Sequence, residues 1–278
     1  MKDSLMNTNH TSSQKPLEEL EQNLKSLQGL KLPPEAQAML EDALQSLEDA
    51  KEEQAQFVST VSHELRIPMT SIMGYTDLLR QGAMGHVNEN QLNFLNVIRE
   101  NAGHMSKLIA NLSDIYKIKS GRLHLEPEAI SIFDAVQNGL ELAKKSLNGQ
   151  NPEFVVRVAE DLPLVQADPK RAAQMIQCLL ENAVLYSPER QPVIVEALRD
   201  ENFVRLKVID QGIGIQLEDQ PHIFSQFFRS EVEPVREHKG WGLSLCLVKS
   251  LTEASGGQVG YETEPGAGST FWVSLPLS

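Results

Sequence analysis

Residues 62–75 read SHELRIPMTSIMGY, and this stretch decides how the first half of the chain is built. It lies within an apolar series, Phe57, Val61, Leu65, Ile72 and Leu79, whose four- and seven-residue steps predict a helix over about 56–80. Pro68 interrupts that helix, because a proline lacks the amide that would bond to the Glu64 carbonyl, leaving a weak point one turn after His63. His63 stands two residues beyond Val61 and so turns away from the apolar side toward solvent. An exposed neutral imidazole is a capable nucleophile, and the neighbouring Glu64 can accept the proton of the opposite ring nitrogen. Taken alone, the pair reads more readily as an ordinary solvated face of an amphipathic helix. A zinc-protease motif would need a second histidine at position 67, where Ile67 stands.

Upstream, positions 40, 43, 47, 50, 54, 57 and 61 form a nearly unbroken heptad seam, predicting a parallel coiled coil that runs straight into the His63 helix. Before it, Leu17, Leu20, Leu24 and Leu27 mark a short amphipathic arm, ended by Gly29 and the Pro33-Pro34 pair. Residues 1–16 are polar and without period, as a disordered tail would be. Downstream, a loop with Gly82 and Gly85 leads to a second predicted helix over about 89–119, with Leu92, Leu95, Ile98, Ala102, Met105, Leu108, Leu112 and Ile115 on one side. One helical hairpin cannot bury two apolar faces, whereas two copies close a four-helix bundle, so a homodimer is expected.

The 278 residues, 41% hydrophobic and 23% charged, suit two compact units. A formal net charge of −13 without clustered Lys and Arg argues against nucleic-acid binding. No apolar run approaches the roughly 20 residues of a membrane span, and the amino terminus lacks a signal-peptide core, so a cytoplasmic location without a membrane span is expected. Cys178 and Cys246 read as small core residues.

After residue 125 the pattern changes. Alternating runs at 154–158, 193–198, 203–209, 257–262 and 269–275, with helical segments at about 133–147, 168–185 and 242–255, predict an α/β sandwich. Directly after the apolar strand FVRLKVI comes DQGIGI at 210–215, where two glycines permit a tight turn and Asp210 is an acceptor suited to an exocyclic amine. LLENAVLYSP at 179–188 places Asn182, an oxygen ligand for Mg2+, and Tyr186 on a helix. GWGLSLCLVKSL at 240–251 opens a helix with Gly240, Gly242 and Leu243, an amide-rich start suited to polyphosphate, and GAGSTF at 266–271 follows with Thr270. The polar stretch SEVEPVREHK before the glycines suits a mobile lid. Each segment alone is also compatible with a plain turn, cap or loop. Neither a P-loop nor the third glycine of a dinucleotide fingerprint is present.

In this order the segments resemble the H, N, G1 and G2 boxes of the two-component sensor histidine kinases, over about 55–276, with IFSQFFRS at 223–230 matching the family's phenylalanine segment. The resemblance implies an α+β multidomain chain: an arm and coiled-coil signalling helix at 17–55, a dimerisation and histidine phosphotransfer domain at 56–122, and a Bergerat-type ATP-binding α/β sandwich at 123–278. It makes His63 the phosphoacceptor, Glu64 its base and Asn182 the magnesium ligand. Asp210 becomes the adenine anchor, Gly212, Gly214, Gly240 and Gly242 the nucleotide-loop glycines, and Tyr186, Leu243 and Thr270 further nucleotide contacts. ATP and Mg2+ are the implied cofactors, and a response-regulator receiver domain the implied partner in trans. The roughly 40 residues ahead of the seam are too few for an independent sensing module, so input is expected through the coiled coil from an unknown protein or ligand.

Departures from the family pattern are specific. Members that dephosphorylate their partner usually carry Thr or Asn four residues after the histidine, where this chain has Ile67, so weak or absent phosphatase activity is expected. The N box often has Asn and Lys where this chain has Cys178 and Leu185, a loss for phosphate binding unless Lys239 or Arg236 compensates. Ser244 replaces a frequent third glycine. A catalytically impaired ATP-binding regulator of the same fold would account for Cys178, Leu185 and Ile67 together. Chaperone- and gyrase-type ATPases use a glutamate four residues before the magnesium asparagine, and Cys178 cannot serve as that base.

Overall fold

A computed structural model describes residues 15–28, 30, 32–147, 152–187, 191–238 and 240–278. Most of the expected tail lies outside them, as do Gly29 and Lys239; helix α1 (Lys15–Gln28) begins two residues before the predicted arm. Pro34, at the first position of the next helix where its missing amide costs nothing, starts α2 (Pro34–Arg80). This single helix of 47 residues, about 70 Å long at 1.5 Å per residue, carries both the seam and His63 and continues through Pro68. Helix α3 (Glu89–Lys119) starts at a capping box: the Asn88 side chain accepts the Gln91 amide at 2.9 Å, and the Gln91 side chain accepts the Asn88 amide at 3.0 Å. It ends at Ser120 and Gly121, as expected.

The expected seam runs between two chains, and burial within one chain departs from that line beyond Leu47. Within one chain the buried face of α2 runs Leu40, Leu47, Ala55, Ser62, Met69 and Thr76. Met69 packs with Ala102 and Ile109 of α3. Phe57, Val61, Leu65, Ile72 and Leu79 remain exposed, as do Leu92, Ile98 and Met105 of α3. The helix carries two apolar stripes, and a heptad reading of one sequence merges them.

The α/β unit has a five-stranded sheet in the order β2 (Phe154–Val158), β4 (Val193–Asp200), β5 (Phe203–Ile209), β7 (Gly268–Pro276), β6 (Gln258–Glu264). Among the described residues the β2–β4 pair is parallel and the other neighbours in this sheet are antiparallel. Strand β5 shows why one face is covered: Val204, Leu206 and Val208 are fully buried, while between them Arg205 turns to the other face and lies 4.4 Å from the Trp272 ring centroid. Helices α4 (Ile132–Ser146), α5 (Pro169–Tyr186) and α7 (Ser244–Ala254) supply the facing layer. Two short strands without sequence period, β1 (Glu128–Ile130) and β3 (Val165–Ala167), pair antiparallel beside it.

The end of α3 belongs to this core. Ile115 is completely buried in it, with Leu108, Leu112 and Ile118 packed alongside. Arg171 of α5 binds Asp114 of α3 at 2.6 Å, and Lys107 of α3 pairs with Glu181 of α5. Among the described residues, no helix is long and apolar enough to cross a membrane.

Candidate nucleotide site and phosphoacceptor

Asp210 follows β5 directly and is 93% buried, being 7% exposed. Its Oδ1 accepts the backbone N–H groups of Gly212 at 2.8 Å and Ser269 at 3.1 Å, while its own amide donates to the Ser269 carbonyl at 2.8 Å. These bonds tie the end of β5, the following turn and the start of β7 together. Burial pushes the Asp210 carboxyl above the ordinary aspartate range, and the two amide bonds pull it back only in part. Gly214 has φ +63°, and a Cβ there would lie 2.0 Å from the Glu264 carbonyl oxygen, so only glycine lets the turn pack against the β6–β7 connection.

Above the carboxylate lies a cavity of about 260 Å3 lined by Asn182, Tyr186, Asp210, Ile215, Leu245 and Phe271, among others. Apolar walls around one buried acceptor suit a flat heterocycle bearing an amine. A second, wider cavity of about 490 Å3 shares Asn182, Tyr186 and Arg229 with the first and extends past Gly240, Gly242 and Leu243 to α3.

The lid is more ordered than its sequence predicts, because α6 (Glu233–Glu237) forms within it. Arg229 holds it in place, donating to the carbonyls of Gly240 at 2.8 Å, His238 at 2.5 Å and Val235. The His238 ring stands edge-on to Tyr186 with centroids 5.9 Å apart. Gly242, at φ +64°, accepts the Phe227 amide at 3.0 Å and leaves no room for a Cβ, which would meet the Phe228 carbonyl oxygen at 2.2 Å. Gly240 meets no such constraint. Helix α7 begins at Ser244 rather than at the glycines, and Leu243 at its N-cap offers no capping side chain.

Asn182, Tyr186, Asp210 and Gly214 thus meet at the first cavity, while Gly240, Gly242 and Leu243 border the second. Gly212 lies beneath the site, against the Tyr186 carbonyl. Thr270 lines neither cavity; its neighbour Ser269, which sequence reasoning passed over, lines the first and binds Asp210. The reason is strand alternation, which puts adjacent residues of β7 on opposite faces. His63 and Glu64 stand apart on α2 and line neither cavity. The imidazole is 68% exposed, with Nδ1 at 3.4 Å from Glu64 Oε1. Cys178 is buried in the core, and its thiol is pushed up to about 12 by burial, which makes it inert.

A carboxyl raised in the folded state costs stability once it ionises, and the cost is complete above the folded pKa. Asp210→Asn keeps the accepting oxygen and removes the charge. We expect the variant to be at least as stable as the parent at pH 7 in urea unfolding, with the advantage vanishing as pH falls below about 4, where both chains are neutral at this position.

Residues 53–121 match the His Kinase A (phospho-acceptor) domain, and residues 167–278 match the histidine kinase-, DNA gyrase B-, and HSP90-like ATPases. Sensor protein DivL of Caulobacter vibrioides is 37% identical over 86% of this chain and 30% of its own length. Sensor protein GacS of Pseudomonas syringae is 31% identical over 82% of this chain and 26% of its own. The chain therefore spans less than a third of these relatives. A crystal structure of full-length ShkA in complex with AMPPNP superposes with a TM-score of 0.66 at 25% identity, covering 80% of this chain and 46% of ShkA. With a phosphoacceptor region and an ATPase region in this order, the chain belongs to the two-component sensor histidine kinases.

Proposed function

We propose that this chain binds Mg-ATP, phosphorylates His63 and passes the phosphoryl group to an aspartate of a response-regulator receiver domain. The observation that carries the proposal is the exposed imidazole of His63 with Nδ1 turned to Glu64, which leaves Nε2 open to attack. The adenine amine donates to Asp210, and the phosphates extend past Asn182 into the second cavity. Asn182 would hold Mg2+ through its amide oxygen, and the ion would neutralise charge on the triphosphate.

His63 Nε2 attacks the γ-phosphorus, the bond to the bridging oxygen breaks and ADP leaves, while Glu64 holds the Nδ1 proton. A receiver carboxylate then attacks the phosphorus and frees the imidazole. Because His63 lines neither cavity of its own chain, transfer within one chain requires the ATP-binding unit to leave its dock on α3, and the missing hydrogen bond at Pro68 gives α2 a place to bend.

The boundaries at 56–122 and 123–278 are proposed as functional units, with 17–55 transmitting input from a sensory partner. A homodimer covers the exposed stripe of Phe57, Val61, Leu65 and Ile72 with its own copy, closing a four-helix bundle. The impaired-regulator reading retains one supporting observation: Leu185 places an apolar side chain in the second cavity.

Incubation with γ-labelled Mg-ATP is expected to place an acid-labile phosphate on the parent chain and to lose about a hundredfold or more of it in His63→Gln and Asn182→Ala. A parent chain that binds ATP yet stays unlabelled supports the regulator instead. Ile67 is 56% exposed, where it can position no water for hydrolysis. Dephosphorylation of the receiver is therefore expected to be slow, and a normal rate that drops in Ile67→Ala contradicts this.

A further inference from the structure

The second cavity has walls of two origins: Asn182, Gly240, Gly242 and Leu243 from the ATP-binding unit, and Arg99, His104 and Lys107 from the stalk helix α3. A polyphosphate there needs cations, and the ATP-binding unit supplies few. Leu185 is apolar. Arg229 is committed to three lid carbonyls. Arg236 lines neither cavity and lies 4.0 Å from the exposed Glu231, and Lys239 is outside the described residues.

On the stalk side, Arg99 is held by Asp77 at 2.6 Å, a pair that also keeps the Asp77 carboxyl below its ordinary range. Lys107 is placed differently. It reaches across the interface to Glu181, the residue preceding Asn182, on a flexible stem whose side chain is 39% exposed. Glu181 also accepts Gln177 Nε2 at 2.9 Å, so it keeps a hydrogen-bond donor if the ammonium turns away.

We propose that Lys107 is a phosphate-binding residue of the nucleotide site, exchanging Glu181 for the β- or γ-phosphate of a nucleoside triphosphate and supplying from the stalk the cation that Leu185 does not. The inference rests on the ATP-site reading above. It makes the triphosphate a bridge between the ATP-binding unit and α3, so that the docked arrangement is a nucleotide-loaded resting state.

The test is equilibrium binding of Mg-ATP and of AMP to the full chain and two variants. Lys107→Ala is expected to weaken Mg-ATP about tenfold and AMP less than about twofold. Glu181→Gln, which frees the ammonium, is expected to preserve or tighten Mg-ATP. If Lys107 only latches the two units together, the two variants change binding in the same direction. Weakening of Mg-ATP by Glu181→Gln, equal weakening of both nucleotides by Lys107→Ala, or no effect of Lys107→Ala overturns the proposal. A parent chain that binds neither nucleotide overturns the ATP site itself, and this inference with it.

Discussion

One buried oxygen organises the nucleotide site. Oδ1 of Asp210 accepts amides from Gly212 and from Ser269, residues far apart in sequence, and so fixes the first glycine turn against strand β7. The arrangement costs desolvation, visible as the raised carboxyl. It persists because two amides compensate and because strands β5 and β7 are already paired along their length. With that oxygen occupied, the second carboxylate oxygen is the acceptor left for a base amine in the cavity above. The turn it holds lets the Ile213 amide donate to the Tyr186 carbonyl at 3.2 Å and brings Gly214 against the Glu264 carbonyl.

A second constraint is the dock between this unit and the stalk. Of the ion pairs there, Lys107–Glu181 is partly exposed on its lysine side, and exposed pairs contribute about 0–1 kcal/mol each. A fully buried isoleucine is worth about 1.5–3 kcal/mol, and Ile115 of α3 is fully buried in the α/β core with three more apolar residues beside it. Apolar packing therefore holds the dock, while the Asp114–Arg171 and Lys107–Glu181 pairs set its register.

The fold class and the order of helices and strands were legible because period and punctuation coincide, as in FVRLKVI followed by DQG or the Asn88 capping box before α3. Asp210 stood out as a candidate because it directly follows the apolar strand β5, whereas Asn182, inside α5, was singled out only by its place in the quoted segment. Other features had no local signal. Strands β1 and β3 are three residues each, too short to show alternation. The face of α2 buried within one chain was not singled out, because Phe57 and Val61 are as apolar as Leu40 and Leu47, and hydropathy cannot say which partner covers each stripe. The contact between Lys107 and Glu181 joins residues 74 apart, and no local pattern announces it.

The central claim is that the buried Asp210 carboxylate reads an exocyclic amine. Adenine presents a donor where guanine presents a carbonyl oxygen, which would face the carboxylate unpaired and repelled. Calorimetric titration of the chain with Mg-ATP and Mg-GTP tests this directly: ATP is predicted to bind at least about a hundredfold more tightly. Equal affinity for the two nucleotides would contradict the account.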